Sequence, residues 1–411
     1  MNHAVANLIL LRKARIVLPK RTLEAASLLI ENGRISRVFD SATGSSPKAD
    51  SEVDLANLTL FPGFIDVHIH GAVGVDTMAA SADDLRHVSE FLARQGVTAW
   101  MPTLVPVPAG QYRRAVDAIG ELIRKQESEF APSALNADTM SALPARSARV
   151  LGVHYEGPFV NSEQCGALQR EHFRAYQSAA DLDALPMVKG DKAVHLMTLA
   201  PEIDGGIDLT KELTRRGWIS SIGHTRANVA VLEQAFEAGA RHLTHFMNAM
   251  TPLHHRAPGP VGWGLIRDEV TCDLIADGVH VDPSVLKLIL RAKGSERISL
   301  ISDAIAAAGL GDGEYQIWGE TIVVKNGRTQ NARGSIAGSV ITILDAVRTM
   351  LALGISESEV ARMASLNPAR LLDIDHDCGS VEEGKRADLV ALDKSLNPRL
   401  TIIGGEIISR D

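Results

Sequence analysis

The sequence predicts an α/β fold: a (β/α)8 TIM-type barrel with a small β-sandwich domain formed by both chain termini. Apolar, strand-like runs alternate with amphipathic helical segments between about residues 62 and 377, which is typical of a parallel βα architecture. About eight such units fit into this span. The glycine-rich fingerprint of a dinucleotide-binding open sheet is absent. We therefore expect a barrel domain over residues 61–379.

Strand-like runs at the two ends of the chain predict the second domain. They occupy residues 8–11, 14–18, 28–30 and 35–39 near the N terminus, and 388–392, 400–403 and 407–408 near the C terminus. Asn32-Gly33 and Gly404-Gly405 are typical of tight turns between such strands. We expect residues 1–60 and 380–411 to fold together into one small β domain.

Several helices of the barrel have recognisable ends. Ser81 is a candidate cap for a helix that carries Leu85, Val88 and Leu92 on one face and ends near Gly96. For two later helices, we expect the following residues to face inward: Val229, Leu232 and Phe236 before Gly239, and Val285, Leu288 and Ile289 between Asp282-Pro283 and Gly294.

Two segments depart from the alternation of strands and helices. Residues 315–330 predict a hairpin around Asn326-Gly327, which would be an insertion. Residues 131–147 are polar or small and predict a surface loop.

The charge balance excludes some classes of partner. The 411 residues include 42 basic and 50 acidic side chains, for a formal charge of −8, and no basic block could follow a nucleic-acid backbone. An anionic metabolite remains compatible, since one Arg and one His in a pocket suffice for a phosphate.

The cysteines and the apolar runs predict a cytoplasmic protein. The chain has three cysteines, widely spaced and without a CxxC pair, which does not suit a disulfide framework or a thiolate zinc site. Residues 1–20 lack the pattern of a secretory leader, and no run reaches transmembrane length.

Candidate metal ligands follow successive apolar runs, at the strand ends where barrel enzymes gather their active-site groups. These ligands are His68, His70, Glu156, His224 and His245. Residues two apart in a strand share a face, so His68 and His70 can direct both imidazoles to one point. Histidine and carboxylate ligands together suit zinc, iron or another divalent transition metal.

Each candidate ligand also has a structural alternative. A histidine can be a hydrogen-bonded core residue, and Glu156 can cap a helix or lie in a loop. The recurrence of ligand types at four strand ends favours the metal hypothesis, because a buried carboxylate without a cation or hydrogen-bond partners is costly.

Asp303 follows a late strand-like run and is the candidate general base. Its alternative role is an N-cap. Arg256 and His280 are candidates for binding an anionic substrate group, because the forked guanidinium suits phosphate oxygens. An exposed structural arginine is the alternative for Arg256.

The ordered set of motifs resembles the N-acetylglucosamine-6-phosphate deacetylase family of the amidohydrolase superfamily, over nearly the whole chain. The motifs are residues 62–71, 154–159, 223–225, 244–245, 248–250, 276–280, 302–304 and 337–339. The resemblance implies the same barrel with a terminal β domain. It also implies a metal-dependent deacetylase that hydrolyses N-acetyl-D-glucosamine 6-phosphate.

The resemblance also implies roles for individual residues. Glu156, His224 and His245 match the family's principal metal ligands, His68 and His70 match a pair that helps hold a second metal in some members, and Asp303 matches the catalytic acid/base. The positions that match substrate contacts are Ala167, Asn248, Ala249, Arg256, His280, Ile336, Ala337 and Gly338. Arg256 is expected to reach the phosphate in the neighbouring subunit, which implies a homodimer with one or two divalent metal ions per subunit.

The chain departs from the family pattern at Leu168, where many members carry a histidine or a glutamine that contacts the acetamide region. Leucine cannot donate a hydrogen bond, so the sugar and acyl specificity stay open. Other functions remain as alternatives. They are deacetylation of the galactosamine epimer, hydrolysis of another amide by the same chemistry, and a non-catalytic scaffold with the same fold.

Overall fold

The structure, a computed structural model, describes residues 8–40, 47–129, 147–190 and 192–410. The surface loop predicted for residues 131–147 lies outside these ranges, apart from Ser147. The strands, numbered in chain order, are β1 Leu8–Val17, β2 Thr22–Glu31, β3 Arg34–Phe39, β4 Ser51–Asp54, β5 Thr59–Pro62, β6 Phe64–Ile69, β7 Gly71–Ala72, β8 Val75–Asp76, β9 Val97–Leu104, β10 Arg149–Val150, β11 Gly152–Glu156, β12 Val194–Leu199, β13 Ile219–Ile222, β14 His242–Leu243, β15 Thr271–Ile275, β16 Ile298–Ile301, β17 Gly313–Ile317, β18 Glu320–Lys325, β19 Arg328–Gln330, β20 Leu389–Leu392, β21 Pro398–Ile403 and β22 Glu406–Arg410.

Helices follow most barrel strands. The α-helices are α1 Ala82–Arg94, α2 Ala109–Glu129, α3 Ala179–Asp183, α4 Gly206–Arg215, α5 Val229–Glu237, α6 Gly259–Ile266, α7 Pro283–Lys293, α8 Ile343–Ala352, α9 Glu357–Ala361 and α10 Asn367–Leu371. A π-helical segment, Arg362–Leu366, joins α9 to α10. Short 3-10 helices span Ser162–Gln164, Arg170–His172 and Ser295–Arg297.

Eight parallel strands form the barrel in the order of the chain: β6, β9, β11, β12, β13, β14, β15 and β16. The first and last strands meet where the amide of Asp303 donates a hydrogen bond to the carbonyl of His68, 2.9 Å away. The predicted fold class is confirmed. The carboxyl ends of all eight strands open on the same side, which is where a barrel places its site.

The two chain ends form one terminal sheet, as predicted. Its strand order is β22-β21-β20-β5-β1-β2-β3, with β4 beside β1. The segments meet where β20 pairs antiparallel with β5. One hydrophobic cluster, which includes Leu11, Leu28, Leu389 and Ile402, is buried within this domain. The predicted division at residues 60 and 380 stays a proposal, since β5 crosses its first boundary.

The helix that begins after Ser81 forms as predicted. The Ser81 hydroxyl accepts a hydrogen bond from the Asp84 amide at 3.2 Å, and the Asp84 carboxylate accepts one from the Ser81 amide at 2.9 Å. This reciprocal pair satisfies amides that the helix itself leaves free. The apolar face of α1, with Leu85 and Leu92, is buried against the barrel.

Two inward-facing residues were predicted wrongly. Leu288 is 52% exposed and Val229 is 37% exposed. In α7 the buried residues include Leu286 and Ile289. Leu288 lies about 200° around the helix axis from Leu286, at roughly 100° per residue. Val229 is the first residue of α5, whose buried residues are Leu232 and Ala235.

The insertion between β16 and α8 is larger than the predicted hairpin. Three antiparallel strands, β17, β18 and β19, form a small sheet of their own. One turn contains Asn326-Gly327, as predicted, and the other contains Trp318-Gly319. Asn326, Gly327, Trp318 and Gly319 all have positive φ, which glycine and asparagine adopt most readily in such turns.

Candidate metal centre and active site

The structure brings the five predicted metal ligands together in the barrel mouth. His68, His70 and Glu156 form one buried group that could hold an ion, and Glu156, His224 and His245 form another. Glu156 belongs to both groups. The five residues come from the ends of four different barrel strands, so the arrangement depends on the closed ring.

The Glu156–His224–His245 group is tightly packed. Oε1 of Glu156 lies 2.9 Å from Nε2 of His224 and 3.0 Å from Nε2 of His245. The Nε2 atoms of the two histidines are 3.1 Å apart. A tetrahedral zinc ion with bonds of about 2.0–2.1 Å would separate its ligand atoms by roughly 3.3 Å.

His68 and His70 face Glu156 from the other side. Their Nε2 atoms are 3.2 Å apart, and Nε2 of His70 lies 3.3 Å from Oε2 of Glu156. Oδ1 of Asp303 lies 3.3 Å from Nε2 of His68 and 3.2 Å from Nε2 of His70. Asp303 therefore lies beside the group formed by His68, His70 and Glu156.

The hydrogen bonds of His224 orient its ring toward the cluster. Nδ1 of His224 donates to the carbonyl of Gln164 at 2.7 Å. Nε2 is therefore the ring atom that faces the site. This Nε2 faces the carboxylate of Glu156, another acceptor, at a distance suited to a shared ion. The donor set fits a divalent transition metal.

Burial and charge set the protonation of the cluster. Burial holds the pKa of His68 well below its ordinary value, which favours the neutral ring that can act as a ligand. Burial opposes the charge of Glu156, but the surrounding histidines outweigh it and hold its pKa well below the usual range. Burial also opposes the charge of His70 and His245, but the neighbouring carboxylates outweigh it and raise the pKa of both rings. A neutral imidazole and an ionised carboxylate are the forms that bind metals.

Three of these residues have a backbone conformation that is uncommon outside glycine. The φ angles are 48° at His224, 31° at His245 and 50° at Asp303. Left-handed conformations at non-glycine residues are costly and cluster at functional sites. Each is the second residue after the end of its barrel strand, and its side chain points into the mouth.

The predicted segment Ile336, Ala337 and Gly338 packs against Asp303. A Cβ atom at Gly338 would lie 2.9 Å from the carbonyl oxygen of Asp303, and φ there is +60°. The amide of Ser339 donates to that carbonyl at 2.7 Å. Glycine allows this close approach, so the segment fixes the backbone of Asp303.

Asn248 and Ala249 follow His245 and also lie at the mouth. The Asn248 amide donates to the carbonyl of His245 at 2.9 Å, and its side-chain Nδ2 is buried without a hydrogen-bond partner among the described residues. Ala249 has φ of 49°. An unpaired buried donor three residues from a candidate ligand is available to a bound substrate.

The two anion-binding candidates differ in their surroundings. The imidazole of His280 is hydrogen-bonded to Asp277 at 2.7 Å. Arg256 is exposed, and its Nη1 lies 2.7 Å from Nε2 of His255 on the same loop. The structure does not bring Arg256 into the metal-binding groups of its own chain.

Ala167 and Leu168 lie on a loop that continues from the Gln164 carbonyl. Leu168 is buried, with 5% of its surface exposed, and Ala167 is half-buried. Both residues line a cavity at the barrel mouth. Leu168, which departs from the family pattern, therefore contributes an apolar side chain to the wall of this cavity.

Sequence reasoning missed two residues beside the cluster. The His154 ring packs edge-on against the His68 ring, with 4.6 Å between centroids. His154 precedes Glu156 by two residues in β11, so the strand period could have indicated it. The Trp318 ring packs edge-on against His70 at 5.2 Å. It lies in the insertion, and no local signal marks it.

Comparisons with known proteins agree with this geometry. The sequence profile of the Amidohydrolase family matches residues 59–408. The N-acetylglucosamine-6-phosphate deacetylase of Bacillus subtilis (strain 168) is 34% identical over 404 residues, covering 98% of each chain. The N-acetylgalactosamine-6-phosphate deacetylase of Escherichia coli O157:H7 is 35% identical over 400 residues, covering 97% of this chain and 99% of the other.

A solved structure is similar over almost its whole length. It is a mutant of the N-acetyl-D-glucosamine-6-phosphate deacetylase from Mycobacterium smegmatis, in complex with N-acetyl-D-glucosamine-6-phosphate. The TM-score is 0.83 at 29% identity, covering 98% of this chain and 99% of that one. With its barrel, its clustered ligands and these similarities, the chain belongs to the amidohydrolase family.

Proposed function

We propose that the protein hydrolyses N-acetyl-D-glucosamine 6-phosphate to D-glucosamine 6-phosphate and acetate. The observation that carries this proposal is the position of Asp303, whose Oδ1 lies 3.2 Å and 3.3 Å from the candidate ligands His70 and His68. A carboxylate beside a metal-binding group is suited to move a proton during amide hydrolysis. The relatives with this activity support the substrate.

The side chains of Glu156, His224 and His245 would hold one divalent ion, and His68 and His70 with Glu156 would hold a second. When bound, such an ion polarises the amide carbonyl and lowers the pKa of the attacking water. Zinc, iron or another transition metal suits these ligands. One or two ions per subunit fit the two groups that share Glu156.

Asp303 would accept a proton from the attacking water and pass it to the amide nitrogen as the C–N bond breaks. Its backbone is held on both sides. The Asp303 amide donates to His68 at 2.9 Å, and its carbonyl accepts from Ser339 at 2.7 Å. The carboxylate is thereby kept in the position where the proton must move.

We also propose a homodimer in which Arg256 reaches the phosphate of the substrate in the partner subunit. Arg256 is exposed on a loop beside two exposed apolar side chains, Leu253 at 53% and Ile266 at 81%. Leu253 contacts the α6 surface at Gly262, and Ile266 lies one turn further along the same helix. Exposed apolar side chains near an exposed guanidinium suit a subunit interface.

We place the protein in the cytoplasm. The cysteines Cys165, Cys272 and Cys378 are free, which fits a reducing compartment. Among the described residues, no helix is long and apolar enough to cross a membrane.

The galactosamine epimer is a second candidate substrate, because a relative named for that substrate is as similar as the glucosamine enzymes. An acetate-release assay tests the proposal on the two N-acetylated 6-phosphates and on both unphosphorylated sugars. We expect the glucosamine 6-phosphate derivative to have the highest kcat/KM. A higher kcat/KM on the galactosamine epimer would make that epimer the substrate instead. If metal-loaded protein releases no acetate from any of the four compounds, the proposed activity is overturned.

A further inference from the structure

A cavity of about 410 Å³ lies beside the candidate metal centre. Its walls come from four loops of the barrel mouth, which follow β6, β9, β11 and β16. One lining residue from each loop is Met78, Val107, Leu168 and Trp318, in that order. The strands β6, β9, β11 and β16 are the first, second, third and eighth of the ring. Ala167 and Leu168 in its lining match positions that contact the substrate in the family, and the other lining residues have no role proposed above.

Two of the segments that wall the cavity also contact the metal-binding groups. Trp318, one of its walls, packs edge-on against His70 with 5.2 Å between ring centroids. The loop that carries Leu168 contacts His224, since Nδ1 of His224 donates to the carbonyl of Gln164 at 2.7 Å. The loop is also tied to the insertion, because Nε2 of Gln169 donates to the carbonyl of Trp318 at 2.7 Å. The cavity is therefore walled by segments that neighbour both metal-binding groups.

The candidate phosphate contact of the same subunit lies across the mouth from this cavity. His280 follows β15, which is the seventh strand of the ring. In a ring of eight strands, the seventh lies opposite the third. The metal centre lies between the two sides.

The connectivity of the substrate then decides which part faces the cavity. In an N-acyl amino-sugar phosphate, the amide nitrogen carries the sugar and its phosphate, and the carbonyl carbon carries the acyl chain. If the phosphate end lies near His280 and the carbonyl lies at the metal centre, the acyl chain must point away from His280. That direction leads to the cavity.

We propose that this cavity is an acyl-binding pocket and that it accepts linear saturated N-acyl groups longer than acetyl. The inference rests on the proposed hydrolysis of an N-acylated amino-sugar 6-phosphate. Part of the lining is apolar: Val105 is 5% exposed, Val107 is 8% exposed and Leu168 is 5% exposed, while Asp76 and Gln169 add polar groups. The polar residues Gln111 and Arg114 are exposed at its rim. The apolar part of the lining favours methylene groups over water.

The size of the pocket exceeds what an acetyl group needs. A methyl group is about as large as a water molecule, whose share of liquid volume is roughly 30 Å³. Small-molecule pockets commonly span about 300–1,000 Å³, and 410 Å³ lies within that range. Each methylene that becomes buried strengthens binding about fourfold, so longer chains gain contact as they fill the space.

The test is a series of glucosamine 6-phosphates that carry N-acetyl, N-butyryl and N-hexanoyl groups. Each member releases the same amine, glucosamine 6-phosphate, so one assay measures every kcat/KM. We expect the N-butyryl substrate to retain at least a tenth of the acetyl value. A value below a tenth would overturn the inference while leaving the deacetylase proposal intact. If metal-loaded protein hydrolyses no member, the proposed function itself fails.

Two variants examine whether the cavity is responsible. Ala79→Phe places a large ring at the cavity wall, and we expect the ratio of butyryl to acetyl kcat/KM to fall at least tenfold. Met78→Ala enlarges the cavity and should raise the ratio of hexanoyl to butyryl at least threefold. The matched control is Ala352→Phe on the exposed end of α8, which should change neither ratio. Ratios within twofold of the unmodified protein in both cavity variants would overturn the assignment, including when overall activity falls.

Discussion

Oδ2 of Asp277 accepts a hydrogen bond from Nδ1 of His280 at 2.7 Å. Oδ1 of the same carboxylate accepts bonds from the amides of Val279 and His280, each at 2.8 Å. Burial opposes the carboxylate charge, but the bonds and the charge of His280 outweigh it and lower the pKa of Asp277. The carboxylate fixes the imidazole and leaves Nε2 as the atom available to a ligand. Asp277 is thus a positioning residue for a candidate phosphate contact.

Asp277→Ala should lower kcat/KM for the phosphorylated sugar about tenfold, because His280 loses its fixed orientation. His280→Ala should cause a similar loss, and the double variant should lose little more than either single one, because the two residues act as a unit. Steady-state kinetics of the three variants test this. Additive losses would show that Asp277 acts independently of His280. Asp268→Ala, on an exposed aspartate, is the control.

Glu156→Ala should remove most of the bound metal, since its carboxylate lies within 3.0 Å of both His224 and His245 and is shared by both groups. Metal content per subunit after dialysis, measured by elemental mass spectrometry, reports the loss. Glu163→Ala, at an exposed glutamate near the same loop, should keep its full metal content. A Glu156→Ala protein with unchanged metal and activity would refute the ligand assignment.

Asp303→Asn should retain the fold and lose most turnover. Asparagine keeps the shape of the side chain but cannot shuttle a proton, and removal of a general acid/base costs roughly a hundredfold or more. The kcat of the variant, with its circular dichroism and metal content, tests this prediction. If kcat falls by less than tenfold, Asp303 has a structural role.

Arg256→Ala should raise KM for the phosphorylated sugar and leave the unphosphorylated sugar unaffected. A hydrogen bond to a charged group contributes about 1.5–3 kcal/mol, so the efficiency should fall on the order of tenfold to a hundredfold. Equal losses on both substrates would indicate that the arginine is structural.

The proposed shared site makes Arg256→Ala and Asp303→Asn complementary. A mixed dimer would have one site with an intact base and an arginine from the partner subunit. Activity should therefore recover on mixing, once subunit exchange has been verified by mass spectrometry. No recovery in verified mixed dimers would place Arg256 in the site of its own subunit.

Asp388 connects the terminal domain to the barrel. Its carboxylate accepts from Arg149 at 3.0 Å and from the Gly404 amide at 2.7 Å. Burial opposes its charge, but Arg386 and Arg149 outweigh burial and lower its pKa. Asp388→Ala should destabilise the protein by about 3–5 kcal/mol at pH 7, because two arginines lose a buried partner.

The stability difference between Asp388→Ala and the unmodified protein should decrease at low pH. A carboxyl group whose folded pKa is lowered stabilises the fold above its unfolded pKa, near 3.8, and this contribution disappears as the pH falls through the folded value. The difference between the two proteins should therefore be constant from pH 7 to about pH 5 and shrink only below about pH 4. Urea unfolding at several pH values measures it. A difference that shrinks already between pH 7 and pH 5 would contradict the assignment to Asp388.

Local patterns in the sequence predict most of the architecture. The alternation of strands and helices indicates the barrel, because each βα unit must bury one face. Ser81 and its capping partner lie three residues apart, so their interaction is also local. The prediction was wrong at Leu288 because helical spacing alone does not show which neighbours cover each face.

For the candidate site, too, the sequence indicates some features and only the tertiary structure determines others. Residue types at strand ends, such as His68, Glu156 and Asp303, are visible in the sequence because a barrel places all its strand ends at one mouth. The contacts of Trp318 with His70 and of Leu168 with the cavity are not visible there. They join segments separated by many residues, and only the closed ring of strands and the folded insertion determine which of these side chains meet.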